Sequence, residues 1–466
     1  MKEITDLARL RDQLAKHFNL QELQDLCFDL DIQYDDLPGL TQGDKARGII
    51  QYCQRHNRLD DLIKRCMKLR PNVSWEFYIS SNGKEPAILI IGSGTAEKVL
   101  HIEDEWINLG QKHLIRQHSE LYGGSGVDYT FRLGSFGYSA LPILAIGDDW
   151  HGRNIQKAIV GLAKHDQITR FVESPDFLPA KIKTQQSTIV VAHGVRTTFG
   201  EELKGAEYFS RFTRDRLNQA IDLPEVAIKA VMVGHIHADN AECEKGEITK
   251  DIINRFVNSG IPIFANFGRS QYGLGNSFWR ETLKKVTVFQ LAIDEAREFF
   301  KQDGITSLRH MIEWFQQNEI TAVITLEKMG AIATLKDGRD GVTFAKPYDL
   351  KERLVDPTGA GDAFGAGLVS YIFDELTLAE KNRKLDASGQ ILDEVMKIGK
   401  FEEAISRGRD WAAFACTTLG AANSCPDADK LADLSMRLKE AQGATSIRRG
   451  SLNEHDTVLW LIDQAF

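Results

Sequence analysis

The sequence predicts an α/β fold with a central, mostly parallel sheet flanked by helices, preceded by a small all-α bundle. Three observations support this prediction. Residues 1–70 contain short helical patterns separated by turns. Residues 77–86 are charged and turn-rich, as in a linker. From residue 87, buried-type strands and helices alternate for about 350 residues, which is the pattern of a parallel sheet.

The composition is that of a soluble globular protein of two or three units: 466 residues, 42% hydrophobic and 26% charged. A net charge of −9 argues against a surface that coats nucleic acid, because such surfaces are basic. Six scattered cysteines without a Cys-x-x-Cys pair predict reduced thiols. With no apolar run that approaches a membrane span, we expect a cytoplasmic protein that contacts no membrane.

The helical bundle is predicted from apolar spacing and from its helix ends. Apolar residues recur at helical spacing over residues 4–14, and Asn19 with Glu22 forms a capping-box pattern for the second helix. A further helix opens at Asp44, and the last is stopped by Pro71. The bundle contains no cluster of residues with catalytic or metal-binding spacing.

The predicted buried strands of the second part define the edge where ligands bind, since parallel strands place ligands at their carboxyl ends. Residues 177–198 alternate as in a β-hairpin outside the main sheet, and 344–355 alternate as in one more strand. After residue 442, residues 457–466 form an amphipathic segment that we expect to dock on the surface or on a neighbouring copy. The buried strands are predicted at 87–91, 143–146, 230–233, 261–264, 286–291 and 322–326.

Residues 355–364 (VDPTGAGDAF) carry the chemistry, because they predict a strand, a tight turn and the start of a helix. The amides of Gly359, Ala360 and Gly361 can converge at the helix N-terminus as an anion site. Asp362 lies beside it, where a carboxylate can accept the proton of an alcohol while the amides hold a transferring phosphoryl group. A bare Gly-x-Gly-Asp would equally suit an ordinary glycine turn.

The ten-residue string closely resembles the C-terminal signature of the ribokinase-like (PfkB) carbohydrate kinase family. The resemblance implies that Asp362 is the catalytic base and that ATP, with Mg²⁺, is the phosphate donor. It also implies that Asp356 and Thr358 help to hold a monovalent cation (K⁺). Residues 420–424 match the family's late glycine-alanine loop, which assigns Asn423 to the nucleotide.

Residues 123–128 (GGSGVD) and 146–152 (IGDDWHG) resemble the family's N-terminal signature, in the expected chain order. By this resemblance Gly123 and Gly124 approach the sugar. Asp128 stands where the family usually has asparagine, and would bind the acceptor.

Two further acceptor contacts are implied by the same resemblance. Glu97 stands where the family often has aspartate, and would grip acceptor hydroxyls. Arg196 falls in a Gly-x-Arg-Thr string of the kind found in the family's β lid, although it would equally suit a solvated hairpin.

The nucleotide loop departs from the family pattern. Thr325, Glu327 and Gly330 fall on the Thr-Leu-Gly-x-x-Gly loop, with glutamate in place of the first glycine. Upstream, Ala292 replaces the asparagine of the Asn-x-x-Glu element, whereas Glu295 keeps the glutamate that helps to order Mg²⁺ through water. A carboxylate close to nucleotide phosphates repels them, so these changes bear on ATP use.

The bundle has a resemblance of its own. Residues 26–31 (LCFDLD), 34–39 (YDDLPG) and 69–75 (LRPNVSW) look like a bacterial effector-associated domain, a death-like adaptor, over residues 9–75. The resemblance implies a protein partner with a similar domain, in a defence or signalling system. The alternative is a helical extension used only for self-association, that is, a homo-oligomer.

One other string resembles a metal site. Residues 235–239 (HIHAD) follow a strand, but we expect a solvated or substrate-facing loop because no second cluster supports a metal. The sequence has neither a Walker loop nor a complete Gly-x-Gly-x-x-Gly after Ile91, which argues against a Walker-type NTPase or a dinucleotide dehydrogenase.

Together these features predict a helical adaptor at 1–76, a linker at 77–86, a ribokinase-like (PfkB) kinase domain at 87–442 and a C-terminal extension at 443–466. The leading hypothesis is an ATP-dependent kinase for a hydroxyl of a sugar or nucleoside. One alternative is a weakened kinase fold that senses a ligand and signals through the adaptor. Another is a defence kinase acting on nucleosides or nucleotides.

Overall fold

The computed structural model contains two compact units, Met1–Glu85 and Pro86–Phe466. The structure describes residues 7–56, 58–70, 73, 84–103, 110–160, 162, 171–172, 182–192, 195–201, 206–223, 226–236, 245–257, 259–336, 341–381, 392–393, 395–418, 428–442 and 447–450. The predicted adaptor lies in the first unit and the predicted kinase domain in the second.

The described part of the first unit contains four α-helices around one apolar core. The capping box predicted for the second helix is confirmed: the Asn19 side chain accepts from the Glu22 amide at 3.0 Å, and the Glu22 carboxylate accepts from the Asn19 amide at 2.9 Å. Leu10, Leu14 and Leu26 are fully buried in the core. The helices are α1 (Leu7–His17), α2 (Leu20–Asp29), α3 (Gln42–Arg55) and α4 (Leu59–Leu69), with a 3₁₀ turn at Tyr34–Asp36.

The second unit is built on strands that follow the predicted pattern, with ends displaced by one to a few residues. The predicted strand at 261–264, for example, is found at Ile263–Asn266. The strands are β1 (Glu85–Ser93), β2 (Thr95–Ile102), β3 (Ile115–Gly123), β4 (Ala140–Gly147), β5 (Phe171–Val172), β6 (Gln185–Ala192), β7 (Val195–Gly200), β8 (Val226–Val233), β9 (Ile263–Asn266), β10 (Val288–Ala292), β11 (Ala322–Thr325), β12 (Ala331–Thr334), β13 (Val342–Ala345) and β14 (Ile447–Gly450).

Among the described residues, ten strands form one sheet in the order β14-β13-β12-β11-β10-β9-β8-β1-β4-β5. The pairs β5–β4, β4–β1, β8–β9, β9–β10 and β10–β11 are parallel, and the three pairs from β11 to β14 are antiparallel. The central sheet is therefore mostly parallel, as predicted. The carboxyl ends of β1, β4, β8, β9, β10 and β11 meet at one edge, where ligands are expected.

A separate four-stranded sheet, in the order β3-β2-β6-β7, confirms the small β lid predicted outside the main sheet. β2 follows β1 after Gly94 alone, so the chain passes directly from the main sheet into this one. β2 pairs antiparallel with β3 and parallel with β6, and β6 and β7 form the predicted hairpin.

Helices flank the main sheet and complete the core. On β10, Phe289 packs against Phe299 and Phe315, which anchors the strand from one side. None of the described helices is long and apolar enough to cross a membrane. The helices are α5 (Ser125–Ser135), α6 (Trp150–Ile159), α7 (Ala206–Ile221), α8 (Glu247–Val257), α9 (Arg269–Tyr272), α10 (Asn276–Leu283), α11 (Ile293–Phe300), α12 (Leu308–Gln317), α13 (Ala360–Lys381), α14 (Ile398–Ala415) and α15 (Ala428–Gln442), with 3₁₀ turns at Lys301–Asp303, Glu327–Met329 and Lys351–Arg353.

The prediction of a strand at 344–355 is wrong beyond its first two residues. β13 ends at Ala345, and the chain then runs without regular structure to the 3₁₀ turn at Lys351–Arg353. Pro347 has no N–H to donate to a strand ladder, and Lys351 takes a left-handed φ of +47° that no strand accommodates. The alternation there reflects a loop that leads into the glycine-rich turn.

The predicted extension after residue 442 contributes β14, which pairs with β13 at the edge of the main sheet. Most of the predicted linker and the amphipathic segment at 457–466 lie outside the described residues.

Candidate active site

The turn before α13 is fixed at both ends. The amides of Val355 and Asp356 donate to the carbonyl of Cys416 at 2.8 and 3.2 Å. The Asp356 carboxylate accepts from the amide of Thr358 at 2.9 Å and from its hydroxyl. Gly359 then adopts a φ of +71°, in the left-handed region that favours glycine. The next residue begins α13, so the turn delivers the chain to a helix N-terminus.

The amides of this turn lie at the positive end of the helix dipole. The amide of Ala360 already donates to the carbonyl of Pro357 at 3.2 Å, within the turn itself. The donors that we assign to a bound anion are therefore the amides of Gly359 and Gly361, two of the three predicted from the sequence.

Two side chains from other elements hold the carbonyls of the turn. Nη2 of Arg132, on α5, donates to the carbonyl of Gly359 at 3.0 Å. Nε2 of Gln290, on β10, donates to the carbonyl of Gly361 at 2.8 Å. Because a carbonyl and the amide that follows it share one rigid peptide plane, these bonds fix the directions of the Ala360 and Asp362 amides, on either side of the Gly361 amide.

Asp362 lies in the first turn of α13, half-buried, and faces a second carboxyl group. That group belongs to Asp128 in the first turn of α5, and the two carboxyls lie within hydrogen-bonding reach. Asp128 is only 4% exposed. Its burial and, next, the negative charge of Asp362 raise the pKa of Asp128 well above the usual range.

The predicted acceptor residues meet on the same side. Glu97, on β2, lies against Gly123 at the end of β3: a Cβ atom on Gly123 would be 2.7 Å from the Glu97 carboxyl carbon. The charge of Glu97 also contributes to the raised pKa of Asp128. Gly124, with a φ of +89°, turns the chain into α5 and so places Asp128. Thus Glu97 and the two glycines lie near Asp128, which in turn faces Asp362.

Three site residues were missed by sequence reasoning: Arg132, Tyr129 and Gln290. Arg132 and Tyr129 are both fully buried on α5. The hydroxyl of Tyr129 lies 2.2 Å from the position that a Cβ on Gly365 would take, so the glycine makes room for it. The signal for Arg132 is its place four residues after Asp128, one turn along the same helix. For Gln290, the signal is a polar residue inside a buried strand.

Glu295 lies in the first turn of α11, just after β10. Its Oε2 accepts from the amide of Ala292 at 2.8 Å, which satisfies the N–H of the residue that precedes the helix. Burial raises the pKa of Glu295, and the charge of His235 at the end of β8 opposes this.

The Glu295 carboxylate fits a magnesium ion that is held largely by nucleotide phosphates. In the described part of the chain, no group of three His, Cys, Asp or Glu residues could cage a metal. Magnesium in nucleotide sites is typically bound by one or two carboxylates, with phosphates and water completing its shell. Glu295 and Asp362 interact electrostatically as like charges, a repulsion that a cation would offset.

The predicted nucleotide loop follows β11. The strand register pairs Thr325 with Ala292, which brings the loop beside Glu295. The amide of Leu326 donates to the carbonyl of Gly330 at 2.7 Å and closes the loop. Glu327, exposed, takes a left-handed φ of +49°, a conformation more typical of the glycine it replaces in the family pattern.

Three predicted positions fall partly or wholly outside the described residues. Asn423 is among them, and Arg196 belongs to β7 by its backbone alone. In the predicted loop at 235–239, His237 and Asp239 are also outside the description. His235 is described, and its amide donates to the Ser125 hydroxyl at 2.8 Å.

Comparison with known proteins finds a family model that matches part of each unit. Residues 10–71 match the family model "Effector-associated domain 7", and residues 274–428 match "pfkB family carbohydrate kinase". A search of curated proteins finds no match.

Solved structures resemble the second unit. A ribokinase from Giardia lamblia is 17% identical with a TM-score of 0.59, covering 76% of this chain and 99% of its own. A nucleoside kinase from Burkholderia thailandensis, in complex with inosine, is 19% identical with a TM-score of 0.52, covering 78% and 100%. A nucleoside kinase from Methanocaldococcus jannaschii, a member of the ribokinase family, is 13% identical with a TM-score of 0.52, covering 76% and 100%.

At these identities the solved structures show the fold alone, which is ribokinase-like. The chain matches the effector-associated domain 7 model over residues 10–71 and the pfkB family carbohydrate kinase model over residues 274–428, each a part of its length.

Proposed function

We propose that the protein is an ATP-dependent phosphotransferase that phosphorylates a hydroxyl of a sugar or nucleoside. The observation that carries this proposal is the arrangement at the start of α13. There, Asp362 lies beside the amides of Gly359 and Gly361, in a turn braced by Arg132 and Gln290. A base and an anion site adjoin, as phosphoryl transfer to an alcohol requires.

In the mechanism we propose, the acceptor hydroxyl binds between the lid sheet and α5. Glu97 and Asp128 hold it, together with the glycines at 123–124. Asp362 accepts the hydroxyl proton as the oxygen bonds to the terminal phosphorus of ATP, and the bond from that phosphorus to the oxygen of ADP breaks, so that ADP leaves. The amides of Gly359 and Gly361 then stabilise the charge that develops on the transferring group.

The nucleotide would lie along the edge formed by β10 and β11, on the loop from Thr325 to Gly330, with Asn423 nearby. Glu295 would hold a magnesium ion through water, and Asp356 with Thr358 would help to hold a monovalent cation, K⁺. When bound, magnesium would neutralise negative charge on the nucleotide phosphates. The lid sheet, with Arg196 on β7, would keep water from competing with the acceptor.

We assign the effector-associated domain 7, over residues 1–76, to recruitment of a protein with a similar domain, in a bacterial defence or signalling system. A nucleoside or nucleotide as acceptor would suit such a role, since its phosphorylation would deplete it or convert it to a signal. Simple self-association, by contrast, would make the isolated domain an oligomer. Size-exclusion chromatography of the isolated domain and of the full chain measures their oligomeric states and so distinguishes recruitment from self-association.

A second candidate is a ligand sensor with the kinase fold. It is favoured by Glu327 at the nucleotide loop and by Ala292 in place of the asparagine that precedes Glu295. Both changes weaken the site that ATP would occupy. The sensor would bind a sugar or nucleoside without phosphorylating it.

One screen separates the candidates. The full chain is incubated with ATP, magnesium and a panel of sugars, nucleosides and nucleotides, and products are detected by mass spectrometry. A kinase yields a product 1:1 with ADP. Asp362→Asn yields it at a rate lower by about 10²–10⁴-fold, whereas the surface control Asp433→Asn matches the wild type. Thermal stabilisation by a ligand without product formation would refute the kinase and support the sensor.

A further inference from the structure

The pair of carboxyl groups at the centre of the site needs an explanation. Asp128 and Asp362 each lie in the first turn of a helix, α5 and α13, and their carboxyls are within hydrogen-bonding reach. Two ionised carboxylates are both acceptors, so a hydrogen bond between them exists only when one carries a proton. Oδ1 of Asp128 is buried and receives no hydrogen bond from the part of the chain that the structure describes.

The charges around the pair decide which carboxyl holds the proton. Asp128 is 4% exposed, whereas Asp362 is half-buried at the mouth of the helix. The negative charges of Asp362 and Glu97 oppose ionisation of Asp128, and the positive charge of Arg132 on α5 favours it. Because burial adds to the effect of the two negative charges, Asp128, the more buried of the paired acids, is the one expected to be neutral.

Two further titratable groups lie near the pair: Glu295, whose negative charge acts on Asp362 as a like charge, and Tyr129, which does not supply a negative charge that would change this balance. It is fully buried beside Asp128 on α5, and burial raises its pKa well above the ordinary value. It therefore stays a neutral phenol at the pH at which the carboxyls are tested.

We infer that, before an acceptor binds, Asp128 is held as a neutral carboxylic acid that shares its proton with Asp362, and that this O–H turns to the acceptor when one binds. A neutral acid presents one donor and one acceptor oxygen. The proton also leaves Asp362 as the one ionised member of the pair, which a general base requires. The donation to the acceptor rests on the proposed function; the protonated pair does not.

A consequence is a limit on the acceptor. A donated O–H suits a lone pair on an uncharged hydroxyl compound. An acceptor with a negative phosphate beside its reacting hydroxyl would meet Glu97 and Asp362 at close range and be repelled. We therefore expect uncharged polyols and nucleosides to bind better than their phosphorylated forms.

The protonated pair is tested without any substrate. Infrared difference spectra of the full chain, titrated from about pH 5 to pH 9, should show a protonated carboxyl that disappears as the pH rises through the raised pKa of Asp128. Asp128→Asn should lack this band, and Asp433→Asn should keep it. In Asp362→Asn the band should titrate lower by roughly one to three pH units, because the neighbouring negative charge is gone.

The donation is tested by the pH profile of kcat/KM, each variant scaled to its own maximum. The wild type should lose activity at high pH as the shared proton leaves, and Asp128→Asn should lose that alkaline limb. A carboxyl band that is the same in the wild type and Asp128→Asn overturns the protonated pair. A band without turnover on any acceptor leaves the pair standing and refutes the proposed function, and an alkaline limb unchanged in Asp128→Asn refutes the donation.

Discussion

We expect replacement of the buried Arg132 with methionine to destabilise the second unit and to slow phosphoryl transfer. The guanidinium donates to the carbonyl of Gly359 at 3.0 Å and offsets the charge of the acids beside it. Methionine fills similar volume but supplies neither the donor nor the charge. The turn before α13 then loses one of its two side-chain braces.

The size of the effect follows from what Arg132 contacts. A hydrogen bond from a charged donor contributes about 1.5–3 kcal/mol, and breaking a buried ion pair costs about 3–5 kcal/mol. Since Asp128 already carries a proton, no ion pair with it is broken and the hydrogen-bond figure applies, about 2 kcal/mol at neutral pH. Loss of a direct oxyanion donor costs ~10²–10³ in kcat; Arg132 acts only through Gly359, so we expect roughly tenfold.

Urea unfolding followed by tryptophan fluorescence measures the stability, because all the tryptophans except Trp75 lie in the second unit. Initial rates at saturating ATP give kcat and the KM for the acceptor. Arg437→Met is the matched control, since Arg437 lies exposed on α15 and pairs with Asp433 at the surface. An unfolding midpoint and kcat for Arg132→Met equal to those of Arg437→Met would refute the assigned role of Arg132.

The remaining predictions concern backbone strain, protonation and helix capping. Glu327→Gly should raise the free energy of unfolding by about 1 kcal/mol, because it relieves a left-handed φ, and it should lower the KM for ATP. The control Glu319→Gly, at a φ of +56° in the turn after α12, should stabilise the protein without changing the KM for ATP. Equal KM changes in the two variants would contradict the assignment of the nucleotide loop. As pH rises above ~3.9, the free energy of unfolding of the wild type should fall relative to that of Asp128→Asn, by at most about 1.4 kcal/mol per pH unit. The reason is that the raised pKa of Asp128 makes the native state bind more protons than the unfolded state. Chemical denaturation measures this at each pH, and parallel curves for the two proteins would contradict it. Asn19→Ala should destabilise the isolated first unit by about 1 kcal/mol in circular-dichroism melts, through loss of its capping box, and an unchanged melt would contradict that role.

The sequence carried most of the fold because its signals are local. Strand β1, for instance, contains an unbroken apolar run at 87–91, and the capping box at Asn19 and Glu22 is predicted from spacing alone. The run at 344–355 misled because alternation reports burial on one face, and a loop packed on the core can show it too.

The site was predicted in part for a similar reason. Asp362 and its glycine turn follow from local backbone chemistry. Arg132 and Gln290 act on that turn across 227 and 71 residues of chain, and such contacts depend on how α5, β10 and α13 pack. The shared proton of Asp128 likewise arises from burial and a neighbouring charge, neither of which is a property of the residue alone.

The rate of a single phosphoryl transfer tests the central claim most directly. Wild type and Asp362→Asn are each mixed with ATP, magnesium and a saturating acceptor, and the phosphorylated product is followed by rapid quench. A base at the start of α13 predicts a rate lower by about 10²–10⁴-fold in the variant, with acceptor affinity retained. Equal rates in the two proteins would show that another group accepts the proton.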